Sequence, residues 1–130
     1  MPVTTTRNKL AILLWAATPE RAELCATPFL HAAVAAALDC EVEMHFSGPA
    51  TRLLVAGVAE QLFSTPDRLA SIYSFMQQAS SHGVRFVGCA MALRSHLASD
   101  EATIAEYDGR ATMTDFVLRA LDPEWSTLVY

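Results

Sequence analysis

Apolar residues along this chain fall in short, dense runs separated by stretches in which they recur at helical spacing. Residues 9–15 form a nearly unbroken apolar run, as expected of a parallel strand covered on both faces and placed centrally in its sheet. Thr18-Pro19-Glu20 supplies a cap, a first-turn proline and an acidic residue, and Thr27-Pro28 repeats the signal, so a helix is predicted that kinks or restarts at Pro28. Its face is Leu30, Ala33, Val34, Ala37 and Leu38, and the many alanines allow close approach to a sheet or another subunit. A second strand, residues 41–46, alternates in character and is broken by Ser47-Gly48-Pro49. A helix carrying Leu53, Leu54 and Val58 follows, with Gly57 as an early stop. Thr65-Pro66-Asp67 then predicts the start of a long amphipathic helix through Leu69, Ile72, Tyr73 and Met76, ended by Gly83. The remaining expectations are a strand at 84–88, a short helix at 89–97, a strand at 103–107 ended by Asp108-Gly109, a helix carrying Met113, Phe116, Val117, Ala120 and Leu121, and a strand at 126–130 after Asp122-Pro123.

This alternation is the signature of an α/β fold: a single domain over residues 1–130, with three α/β/α layers and a five-stranded, mainly parallel sheet. Composition agrees, because 130 residues with 52% hydrophobic and 18% charged positions suit one well-filled core without repeats or linkers.

Charge narrows the function. A net charge of −5 and a single lysine, Lys9, argue against a nucleic-acid surface. No apolar run approaches the roughly 20 residues of a membrane span, and the polar opening, with only Arg7 ahead of a short apolar run, points to the cytoplasm rather than to secretion. Cys25, Cys40 and Cys89 are odd in number and contain no C-x-x-C pair, so reduced thiols are expected. Adding His31 and His45 matches no common zinc spacing, and no metal site is predicted.

Ligands of open parallel sheets bind beyond the carboxyl ends of the strands. The third predicted strand ends in Gly88-Cys89, which places Cys89 on that rim and at the start of a helix, where free N–H groups near Ala90 and Met91 favour a thiolate. Arg94, further along the same helix, is a candidate electrostatic support; Trp15 ends the first strand and is a candidate pocket wall; Ser47 flanks the second strand end. Cys25 and Cys40 read as packing cysteines, and His31, His45 and His82 belong to no constellation. Other chemistries lack their parts: there is no G-x-G-x-x-G, no Walker lysine, no acidic cluster after the first strand and no G-x-S-x-G elbow.

The segment Gly83-Val84-x-x-x-x-Cys89-x-x-Ala92-Leu93-Arg94, preceded by Ala36-Ala37-Leu38-x-x-Glu41-Val42 and a strand ending at Phe46, resembles the DsrE/DsrF-like family, which includes the DsrE and TusD sulfur-relay subunits. The resemblance implies a flavodoxin-like fold, assembly as a trimer or hexamer, and a persulfide carried on Cys89. The expected function is therefore sulfur carriage or sulfurtransferase-like relay between donor and acceptor proteins, without a cofactor. The alternative is an oligomeric small-molecule-binding or scaffold protein in which Cys89 merely packs. A thiol peroxidase is disfavoured by the lack of a resolving cysteine.

Overall fold

The computed structural model describes residues 8–130; the polar opening segment lies outside it. Five strands, β1 (Lys9–Leu14), β2 (Glu41–Phe46), β3 (Arg85–Cys89), β4 (Tyr107–Ala111) and β5 (Trp125–Val129), form one sheet in the order β4-β3-β2-β1-β5. Every pairing among them is parallel. Four helices connect them: α1 (Ala26–Ala37), α2 (Ile72–Ser81), α3 (Ala90–His96) and α4 (Met113–Leu121). β2 is the middle strand, and β1 lies between β2 and β5.

Strand order dictates the layers. From β1 to β4 each crossover moves one strand in the same direction, so right-handed connections place α1, α2 and α3 on one face. The connection from β4 to β5 runs back across the sheet, which puts α4 on the opposite face against β1 and β5. The first face holds the main core: Ile12, Leu14, Met44, Phe46 and Phe86 of the strands meet Phe29, Ile72, Met76, Leu53 and Leu54, all fully buried. Phe29, Phe46 and Phe86 form a ring triad with centroids 5.4–6.0 Å apart, tilted or edge-on as aromatic quadrupoles prefer.

The second face differs in kind. β2 alternates Val42, Met44 and Phe46 toward the core with Glu43 and His45 toward α4, and that polar side is buried too, at 4% and 5% exposure. Phe116 of α4 lies edge-on to His45, and Arg119 pairs with Glu43 while stacking on Trp125. α4 itself buries no residue completely, leaving Val117, Leu118 and Leu121 exposed. Its start is fixed by a capping box in which the Thr112 hydroxyl accepts from Asp115 N and the Asp115 carboxylate accepts from Thr112 N.

Several element boundaries depart from expectation for local reasons. The fourth strand is Tyr107–Ala111 rather than residues 103–107, because the backbone at 103–104 pairs with the segment after β2: Thr103 bridges Val55, and Ile104 N donates to Leu54 O at 2.8 Å. Asp108-Gly109 lies inside β4, where the register shifts and the Asp108 carboxylate accepts Phe86 N in place of a ladder carbonyl; Gly109, at φ +139°, takes a conformation open to glycine. The predicted helix around Leu53 is a 3-10 segment, Gly48–Leu54, followed by a short 3-10 turn, Ala59–Gln61. Thr65-Pro66-Asp67 makes a turn closed on itself, with the Thr65 hydroxyl donating to Asp67 at 2.6 Å, and α2 starts six residues later than that threonine suggests, capped by Ser71. The break expected at Pro28 falls earlier, at Cys25, between a 3-10 segment (Pro19–Leu24) and α1; Pro28 sits in the first turn of α1, where its missing N–H costs no helical bond.

Candidate functional site

In this sheet the loops after β1, β2 and β3 leave toward the α1–α3 face and the loop after β4 toward α4. The reversal therefore lies between the carboxyl ends of β3 and β4, which is where a crevice opens in a parallel sheet. Cys89 stands there, paired with Ala111, as the last residue of β3 and the N-cap of α3. Gly88, before it, lets α3 fold back tightly: a Cβ at that position would come within 3.0 Å of a Leu93 methyl and 3.2 Å of a Leu54 methyl.

Cys89 is 9% exposed and lines two adjoining spaces. One is a mostly apolar cavity of about 250 Å³ under α4, walled by Leu13, His45, Ser47, Thr112, Met113 and Phe116 among others. The other, about 360 Å³, is bounded by Ala90, Met91, Arg94, Thr112 and Met113. Ala90 and Arg94 also border a larger cleft of about 590 Å³ at the β4 edge, where Arg110, Tyr107 and Ser99 join them. Among the described residues neither Arg94 nor Arg110 is ion-paired with a carboxylate. A thiol, a mostly apolar chamber and a cationic cleft thus follow one another around the same strand ends.

Ser47, Ala90, Met91 and Arg94 all border the spaces that Cys89 lines. Trp15 lines neither; it projects from the end of β1 at 62% exposure, its amide held by Tyr130 O. The residues that sequence reasoning passed over are His45, Thr112, Met113 and Phe116. The signal was the polar row of β2, Glu43 and His45, facing an amphipathic helix whose Arg119 lies one turn after Asp115.

The other two cysteines are built differently. Cys25 is fully buried, its thiol donating to Thr18 O at 3.3 Å, and burial pushes its pKa up to about 12. Cys40 is half-buried in the turn entering β2, against the main core.

On the α4 face Glu43 gathers three partners. Its Oε1 accepts from His45 Nε2 and Arg119 Nε at 3.1 Å, and its Oε2 from Arg119 at 3.1 Å and Arg85 at 3.3 Å. The hydrogen bond from His45, with the Arg119 guanidinium, outweighs burial and holds the carboxyl at about 2.

No protein-family model and no curated protein sequence matches this chain. Solved structures do. The YchN protein from E. coli superposes with a TM-score of 0.62 at 13% identity, over 95% of this chain and 99% of its own. MTH1491 from Methanobacterium thermoautotrophicum, a protein of unknown function, gives 0.62 at 15% identity over 94% and 98%. BT1422 from Bacteroides thetaiotaomicron, a conserved protein of unknown function, gives 0.55 at 12% over 99% and 100%. At these identities the likeness is one of fold, and it extends over the whole domain.

Proposed function

We propose that this protein is a sulfur carrier of the DsrE/DsrF-like kind, with Cys89 as the sulfur-bearing residue. The observation that supports this reading is the position of Cys89 at the switch between β3 and β4, bordering two spaces at once. The thiolate attacks the outer sulfur of a donor persulfide, an S–S bond forms on Cys89, the donor's S–S bond breaks, and the donor leaves as a thiol after taking a proton. The reverse step on an acceptor cysteine empties the carrier. Atoms and electrons balance without a cofactor, so what the protein contributes is access and a poised thiol. Ala90, Met91, Ser47 and Arg94 shape the approach, and Arg94 with Arg110 offers positive charge to an anionic donor or acceptor segment. The site suits a cytoplasmic relay, and no helix among the described residues is long and apolar enough to cross a membrane.

Incubation with a low-molecular-weight persulfide followed by intact mass measurement is expected to add one sulfur to the wild type, to Cys25→Ser and to Cys40→Ser, and none to Cys89→Ser. Sulfur retained by Cys89→Ser would end this reading.

Assembly as a trimer or hexamer belongs to the same proposal. Trp15, Val117, Leu121 and Val129 are more than half exposed on the β1–α4–β5 side, an apolar surface that a second copy would cover. Light scattering is expected to give a mass three or six times that of the chain, with Leu121→Asp shifting it toward the monomer; a wild type that stays monomeric at high concentration contradicts it.

A further inference from the structure

Glu43 and His45 are buried two residues apart on β2, and His45 stands at the wall of the chamber that Cys89 lines. His45 uses one ring nitrogen, Nε2, to meet the Glu43 carboxylate; Nδ1 has no hydrogen-bond partner among the described residues. With Nε2 carrying the proton given to Glu43, the neutral ring keeps its lone pair on Nδ1. Phe116 holds the ring edge-on from the α4 side. A carboxylate that orients an imidazole, and an imidazole sharing a mostly apolar cavity with a thiol, is the arrangement by which nucleophilic cysteines are activated.

We infer that His45 is the proton acceptor for Cys89, with Glu43 as the positioning residue that fixes its tautomer. The inference rests on Cys89 being the working thiol. The proton passes from the Cys89 thiol to His45 Nδ1 through one water in the cavity they share, as the sulfur begins its attack on the donor. It then moves from His45 to the departing donor thiolate, so the step begins with the Cys89 thiol and the donor persulfide and ends with the Cys89 persulfide, a neutral donor thiol and an unchanged ring. The charged and titratable groups around His45 are Glu43 on β2, Arg85 on β3, Arg110 on β4, and Asp115 and Arg119 on α4, with Cys89 at the β3 end.

The rate of Cys89 alkylation by iodoacetamide, followed by mass from pH 6 to 10, tests this on the wild type, His45→Gln and Glu43→Gln. Both variants are expected to react about tenfold more slowly near neutrality and to converge with the wild type at high pH, where hydroxide removes the proton. Equal rates throughout, or a deficit of the same size at every pH, overturns the inference, since the latter reports altered packing or access alone. Should His45→Gln fail to fold, the ring nitrogen shifts of His45 decide the matter in folded protein. Their titration is expected to move between wild type and Cys89→Ser, and superimposable curves refute the coupling. Persulfide loading separates the two proposals: a His45→Gln protein loading sulfur at the wild-type rate removes the base but keeps the carrier. A wild type that takes up no sulfur while its alkylation still depends on His45 removes the carrier but keeps the proton relay.

Discussion

Glu43→Gln is expected to lower the free energy of unfolding by about 3 kcal/mol at neutral pH and to remove much of the acid sensitivity of the fold. The carboxyl titrates at about 2 in the folded protein against an ordinary value of 4.5, a difference of about 3 kcal/mol. Between those two values the unfolded chain binds the proton and the folded chain does not, so stability rises with pH. The contribution is complete above about pH 4.5 and is lost as pH falls toward about 2. Its origin is the buried contact with His45 and Arg119, where removal of one partner leaves the others facing an uncharged amide. Urea denaturation repeated from pH 7 to pH 2 measures both effects. If the variant and wild-type curves run parallel, Glu43 is not the linked group.

The second large effect concerns the opposite face. Phe46→Ala is expected to cost about 3–5 kcal/mol, the range for removing a large side chain from a core that cannot collapse around the gap. Phe46 is fully buried and contacts Phe29 of α1 and Phe86 of β3 edge-on or tilted, so the truncation opens space between the sheet and α1 and breaks two aromatic contacts at once. Phe46→Leu keeps much of the volume and is expected to lose less than half as much. Guanidinium denaturation of the three proteins gives the comparison. A loss below about 1 kcal/mol for the alanine variant would show the triad to be loosely packed.

The parallel sheet was legible because short, mostly apolar runs at residues 9–15 and 84–88 and helical spacing at 113–121 report the buried strands and the inward helix face. Cys89 at a strand end followed from the same pattern. What local pattern could not supply was pairing: residues 103–107 look like a strand, yet their backbone answers to Leu54 and Val55 and the ladder begins only at Tyr107. Thr65-Pro66-Asp67 reads as a helix start because a turn and a cap use the same side-chain chemistry; here the aspartate spends its oxygen on Thr65 and Leu69. His45 escaped because an alternating strand suggests a wet polar side. Only the crossover that lays α4 over β2's neighbours, bringing Arg119 to Glu43, turns that side into a dry one.

That crossover also sets how the thiol is reached. Of the four helices, α4 is the one with no buried residue, and it is held to the sheet by Phe116 against His45 and by Arg119 on Glu43 and over Trp125. Because Thr112, Met113 and Phe116 at the start of that helix wall the chamber beside Cys89, a local opening of α4 widens the way to the sulfur.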